Sequence, residues 1–378
     1  MTEAPLHTWL AEPLPAAVAG VLQRLRRTAG VAHIAVMPDV HLASEFCVGT
    51  VVASPSLLFP NAVGGDIGCG MLAMPFDADA DALRDAHTAA RILGTLAELC
   101  PPRRHHGRTA HSLPPELRDR ILSAPQLESA KRGEDCRTQL GTLGAGNHFL
   151  ELQRDQSAHR LWLMIHTGSR HLGQLVHHHY LPKTHRLDSG ILALDAATPD
   201  GQHYFEDVQT VRAWARENRR LLALRAAQAL EQLLHITPLL AELLDCDHNH
   251  LATETHAGTQ LFVHRKGATN AAPNAPGIIP GSMGTSSFHT LGKGHPDSLH
   301  SSSHGAGRAL SRTEARTRTT ISALRQQLRN VWYDTRIERH LREESPAAYK
   351  HIDAVMLAQE PLTTPTRRLK PLLVYKGV

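Results

Sequence analysis

The chain has 378 residues, 40 Lys and Arg against 36 Asp and Glu for a net charge of +4, 42% hydrophobic residues and only 4% aromatic. That is apolar material for a sizeable core, with no run near the roughly 20 apolar residues that span a bilayer and no signal-peptide pattern at the start, so a soluble, cytoplasmic protein with no membrane partner is expected. Scarce aromatics argue against a stacking platform for single-stranded RNA, and five dispersed cysteines without a C-x-x-C pair argue against a disulfide framework. A cysteine that matters is then a metal ligand or a nucleophile.

Residues 14–28 set Val18, Val21, Leu22 and Leu25 at helical spacing and stop at Gly30. "VAHIAV" reads as a strand running into "MPDVH", "VGTVVA" as a second, and "GMLAMPF", after "VGGDIGC", as a third. Helices are expected over 79–99 and 114–132, split by the loop "CPPRRHHGRT". "HFLELQ" and "RLWLMIH" return to strands. Residues 205–245 give the longest helix, on a stripe of Leu221, Leu222, Leu224, Ala227, Leu230, Leu233 and Leu234. "TQLFVHRK" is a further strand, "NAAPNAPGIIPGSMG" a loop, 309–329 a helix and "PLLVYKG" a closing strand. Without a regular βαβ beat, repeat or linker, the pattern predicts an α+β fold in one domain over residues 1–378.

Metal-capable side chains stand at strand borders, mostly beside glycine: Asp39 and His41 in "MPDVH", Asp66 and Cys69 in "GGDIGCGM", Asn147, His148 and Glu151 in "GAGNHFLE", and His166 and Arg170 in "IHTGSR". His248 and Asn249 follow the long helix. Each alone has a structural explanation, since a histidine beside a strand is commonly a hydrogen-bonding group and Cys69 a small hydrophobe. Together, carboxylate, thiolate and imidazole form a mixed ligand set that permits zinc, manganese or iron. Arg265 and Lys266 of "HRKGATNAAP", with the glycine-rich "PGIIPGSMG", could hold a phosphate or a nucleobase edge; an ordinary surface loop explains them equally well. The clusters "LQRLRR", "PPRRHHGR" and "RRLK" suit an anionic partner or a merely solvated face.

"HPDSLHSSSHGAGRALSR" offers little to bury, yet sets His304 among serine, glycine and alanine with Arg308 four residues on. Serines capping a helix would explain the serines but not His304. A neutral, unhindered imidazole is a competent nucleophile toward phosphorus, and Arg308 could offset charge on phosphoryl oxygens.

Taken together, "MPDVHL", "VGGDIGCGM", "LGTLGAGNHFLEL", "IHTGSRHLG", "HNHLATETH", "HRKGAT", "IIPGSMG", "SSSHGAGRALSR", "AYKHIDAVM" and "LKPLLVYKG" resemble the RtcB RNA ligases, in the family's order from about residue 31 to the C-terminus. The resemblance implies an α+β fold and a GTP- and manganese-dependent enzyme that joins an RNA 2′,3′-cyclic phosphate or 3′-phosphate end to a 5′-hydroxyl end. It implies two Mn2+ ions on Asp66, Cys69, His148, His166 and His248, with the thiolate bridging, and His304 carrying GMP. Asn147, Glu151 and Asn249 would contact phosphate or orient ligands. Tyr349 would stack on guanine and Lys376 meet its edge, with Ser282, Gly305, Gly307 and Arg308 completing the nucleotide site. The partners it implies are tRNA or rRNA fragments and an archease-type activator.

The chain departs from the family pattern at "ASEFC" (43–47), where Gly-x-Gly is usual, at "GG" before Asp66, where "GV" is usual, and at Asp297, where a Glu is common. No expected metal ligand and not His304 is lost, but the changed loop could alter which RNA end is accepted. Two other readings compete. A metal-dependent RNA-end phosphodiesterase would leave His304 idle, and a metal- and RNA-binding paralogue would not turn over.

Overall fold

A run such as "RLWLMI" has no polar face, so it is stable only where both faces are covered. The computed structural model, which describes residues 3–83, 85–105 and 112–377, buries it inside an eight-stranded sheet. Residues 106–108 of the basic loop lie outside the described residues. From one edge the strands run Leu244–Asp247, Gly70–Asp79, Arg160–Thr167, Phe149–Asp155, Thr363–Tyr375, Ser287–Gly292 and Pro276–Ile279, all antiparallel. The short Trp332–Tyr333 strand adds to Thr363–Tyr375 in parallel.

Alternation along these strands decides which side chains reach the site. Leu72, Met74, Leu150, Leu161, Leu163 and Ile165 pack with Ile92, Leu96, Leu222 and Leu230 from the helices Ala86–Leu99 and Pro199–Leu234. Met71, Ala73, Trp162 and Met164 form a separate cluster with Ile278 and Leu369 on the opposite face. His166 and Glu151 share the parity of Met164 and Phe149, and so project from that second face. A five-stranded sheet of Leu6–Thr8, His33–His41, Val48–Ser54, Thr259–Lys266 and Asn249–His256 carries the other half of the chemistry.

The α+β expectation holds, and most differences lie at helix boundaries. The first helix is Ala16–Arg26. The strand from Gly70 runs on to Asp79, so the next helix begins only at Ala86, where the Asp85 side chain accepts from Thr88 N at 2.9 Å. Residues 114–132 break into Pro115–Arg118 and Pro125–Arg132, because each proline fits only the first turn of a helix. The long helix starts at Pro199 behind a Thr198 cap and stops at Leu234, with His235 in the left-handed conformation at φ 56°. The stretch from 235 to 245 thus leaves the α-helix, keeps only a 3-10 turn at Leu240–Glu242, and delivers the edge strand Leu244–Asp247. Residues 309–329 form two helices, Arg312–Arg318 and Ile321–Gln327, each with its own side-chain cap, Ser311 and Thr320. The expected loop at 270–284 contains the edge strand Pro276–Ile279, and the final strand begins at Thr363, before "PLLVYKG". Among the described residues no helix is long and apolar enough to cross a membrane.

Buried neutral histidines make this fold acid-sensitive. His264 is fully buried, accepts from Phe59 N (3.0 Å) and donates to Val52 O (3.2 Å). Burial lowers it from 6.5 to about 4, and lowers His289, edge-on to Trp162, to about 3. Between those values and 6.5 the unfolded chain binds protons that the native state does not, so stability is complete above pH 6.5 and is lost as pH falls. Unfolding free energies from urea titrations should drop between pH 6.5 and pH 4.5 by up to about 1.4 kcal/mol per pH unit for each such histidine, and His289→Phe should flatten the profile.

Candidate metal centre and histidine site

Cys69 ends the loop between the short helix Pro60–Val63 and the strand Gly70–Asp79, and belongs to two groups of donor atoms that could each hold an ion. One is Cys69, His166 and His248, all buried; the other is Asp66, Cys69 and His148, with atoms within 4.8 Å of one another in each. Cys69 Sγ lies 3.3 Å from His166 Nε2 and 3.6 Å from His148 Nε2. His166 Nε2 is 3.2 Å from His248 Nε2, and His148 Nε2 is 3.0 Å from Asp66 Oδ2. Ligands about 2.1–2.3 Å from one ion at roughly 100° stand about 3.2–3.5 Å apart, so these spacings fit cations.

Burial, reinforced by Asp66, pushes the Cys69 thiol well up, and burial holds His166 and His248 well below the usual histidine range. Imidazoles kept neutral are ready ligands, whereas the thiol becomes a thiolate only beside a cation. Burial would raise the Asp66 carboxyl, but the hydrogen bond and charge of His148 hold it at about 2. His166 is oriented by donation from Nδ1 to the Asn147 carbonyl (3.1 Å). Gly168 makes room for Asp66, since a Cβ there would sit 2.1 Å from its Oδ1.

His304 adjoins this cluster, its ring centroid 4.7 Å from that of His248. Its Nδ1 lies 2.6 Å from Oδ2 of Asp39, a fully buried residue whose same oxygen accepts from His304 N at 3.1 Å. With Nδ1 donating, the free lone pair is on Nε2. Gly307, at φ 72°, permits the contact, because a Cβ would meet Asp39 O at 2.2 Å.

A cavity of about 790 Å³ is lined by Asp66, Cys69, His166, His248 and His304 together with Ser282, Tyr349 and Lys376. Gly305, Gly307, Asn147, Glu151 and Asn249 also line it. Asn249 spends its side chain on backbone, donating to Asp66 O (3.3 Å) and accepting from Gly267 N (2.8 Å), so it braces the ligand loop. Burial pushes Glu151 up to about 8, against Gln153 and Lys376. Ser282 Oγ lies 2.9 Å from Thr285 Oγ1.

Several residues sit elsewhere than the sequence suggested. Asp39 and His41 join neither donor group and instead flank His304. Arg308 spends its guanidinium on Glu344 (3.2 Å), the Glu343 carbonyl (2.7 Å) and the Leu310 carbonyl (3.0 Å), with the Tyr349 ring 5.2 Å away. It therefore braces the cavity wall in this conformation. Arg170 donates to Thr142 Oγ1 and the Pro102 carbonyl. Arg265 is fully buried and paired with Glu254, while Lys266 lines the cavity and donates to Asn61 O at 2.8 Å.

Two residues went unnoticed in the sequence. Glu344, 3% exposed, gathers Arg308 (3.2 Å), Arg312 (3.3 Å), Lys376 (3.8 Å) and the Tyr349 hydroxyl. Arg219, on the long helix, donates to Asp245 (2.7 Å) and to the carbonyls of Gly68 (2.7 Å) and Thr167 (3.1 Å), which adjoin Cys69 and His166. Arg219 falls inside the expected helix 205–245 and Glu344 in a stretch given no element, and no local signal marks either.

The family described as tRNA-splicing ligase RtcB matches residues 22–125 and 115–377. The RNA-splicing ligase RtcB of Escherichia coli is 35% identical over 380 residues, covering 91% of this chain and 90% of that protein. The tRNA-splicing ligase RtcB of Nanoarchaeum equitans is 30% identical over 92% of this chain and 88% of its own, and the RNA-splicing ligase RtcB of Mycobacterium tuberculosis 29% over 90% and 96%.

Two measurements check this geometry. Arg219→Met should leave Asp245 and two carbonyls unpaired in the interior, costing about 3–5 kcal/mol in urea unfolding. Cobalt(II) titrated into the protein should give a near-ultraviolet sulfur-to-metal charge-transfer band, absent in Cys69→Ser with circular dichroism unchanged.

Proposed function

The chain belongs to the RtcB family of RNA ligases, and on that premise we propose that it joins RNA 2′,3′-cyclic phosphate or 3′-phosphate ends to 5′-hydroxyl ends, using GTP, two manganese ions and a GMP carried on His304. The observation that carries this reading is the buried Asp39 carboxylate on His304 Nδ1 at 2.6 Å. It fixes the tautomer in which Nε2 is the nucleophile and balances the positive charge that the ring acquires on forming a nitrogen–phosphorus bond.

His304 Nε2 attacks the α-phosphorus of GTP, and the bond to the pyrophosphate oxygen breaks. An RNA 3′-phosphate oxygen then takes GMP from the histidine. The 5′-hydroxyl oxygen of the second RNA end attacks the activated phosphorus, and GMP leaves. Cations on Asp66, Cys69, His148, His166 and His248 would supply Lewis-acid stabilisation of phosphoryl oxygens. Lys376, a donor, and Glu151, an acceptor, suit the edge of guanine, with Tyr349 and Ser282 beside them; tRNA or rRNA fragments are the substrates we expect. A phosphodiesterase working without nucleotide, or a binding-only paralogue, would have no use for a buried carboxylate aimed at an unhindered imidazole.

Incubation with manganese and GTP labelled at the α-phosphate should yield an acid-labile protein adduct. His304→Ala should carry none, and Asp39→Asn should form it slower by roughly 10³-fold or more. Label retained on His304→Ala would refute the assignment.

A further inference from the structure

The reading of His304 as the GMP carrier leaves one proton unassigned. Imidazole and phosphate oxygens attack through free lone pairs, and pyrophosphate and GMP depart as stable anions. Starting from a 3′-phosphate end, only the 5′-hydroxyl must lose a proton as it attacks, and efficient attack needs an acceptor at that spot.

Most titratable groups lining the cavity are spoken for. Cys69, His166, His248 and Asp66 face one another as ligands. Glu151, pushed up to about 8 by burial, already holds a proton at neutral pH and lies against Gln153, and Lys266 is an ammonium donating to Asn61 O. His304 Nε2 is the carrier itself.

His41 remains. His41 lies two residues after Asp39 at the end of the strand His33–His41, past a register shift in its pairing with Val48–Ser54, and unlike the lining residue Glu12 it is tied to the aspartate that holds His304. Its Nδ1 donates to the Asp39 carbonyl at 2.9 Å, which fixes the tautomer and leaves the lone pair on Nε2. The ring is half-buried and lines the same cavity as His304, and among the described residues no side chain is bonded to its Nε2. One aspartate therefore orients both imidazoles, through its carboxylate and its carbonyl. We propose that His41 is the proton acceptor for the RNA 5′-hydroxyl in the joining step.

The O5′–H bond breaks with its proton passing to His41 Nε2, the O5′–phosphorus bond forms, and the bond from that phosphorus to GMP breaks with its electron pair on GMP. The imidazolium then returns its proton to solvent. Burial lowers His41 to about 4, with the charges of His304 and Lys350 acting in the same direction, so its lone pair is free at neutral pH. Phosphates arriving beside it oppose those effects and strengthen it as a base when the RNA ends are in place.

The test separates the steps. Full-length wild type, His41→Asn and His41→Ala are assayed for adduct formation from labelled GTP, and separately for joining of an RNA whose 3′-phosphate already carries GMP to a 5′-hydroxyl RNA. Asn keeps a donor for the Asp39 carbonyl and removes Nε2. Both variants should form adduct within about threefold of wild type but join about 10²–10⁴-fold more slowly, with added imidazole restoring part of the His41→Ala rate. If adduct formation and joining fall together, His41 merely props Asp39 and the proposal fails; it fails also if joining is unimpaired. A wild type that forms no adduct would remove the GMP-carrier reading itself, a result distinct from either.

Discussion

The fold converges on one crowded cluster of donor atoms. Two imidazole nitrogens lie 3.2 Å apart, a sulfur lies 3.3 Å from one of them, and a third imidazole is hydrogen-bonded to a carboxylate at 3.0 Å. Such groups can share a cation only where the surrounding structure holds them at these distances, since a thiol must give up its proton to become a ligand. The eight-stranded sheet does this by register, setting His166 opposite both Met71 and Phe149 on neighbouring strands. Arg219 reaches from the long helix to the carbonyls beside Cys69 and His166, tying both ligand-bearing segments to one rigid element. Asn249 does the same between the Asp66 loop and Gly267, which follows the strand Thr259–Lys266.

Much of the metal-capable set was legible because its residues sit at strand ends beside glycine, where side-chain type and backbone freedom both leave a trace in the chain. Gly168 and Gly307 show why: each marks a place where a Cβ would collide with an aspartate. Strand runs without a polar face were equally plain. Helix ends were not, since Pro125 and the Thr320 cap start new helices and His235, in the left-handed conformation, ends the long one, local features that an apolar stripe does not register. The edge strand Pro276–Ile279 was hidden for a similar reason, its pairing partner Ser287–Gly292 being visible only in three dimensions.

The pairing of Asp39 with His304 lay beyond the sequence altogether, for the two are 265 positions apart and nothing local links them. Taken alone, "MPDVH" offers two metal-capable side chains. The five-stranded sheet turns that stretch toward the histidine instead, and the aspartate becomes an orienting group. Glu344 is a parallel case: its charge is unremarkable until Arg308, Arg312 and Lys376 gather on it.

That carboxylate also works as a clasp. Arg308 and Arg312 follow His304 along the chain and Lys376 stands at the end of the last strand, and three like charges converging there would push those segments apart. One buried anion offsets part of that charge and gives all three a common anchor. Glu344 thus draws distant parts of the chain together at the wall of the cavity.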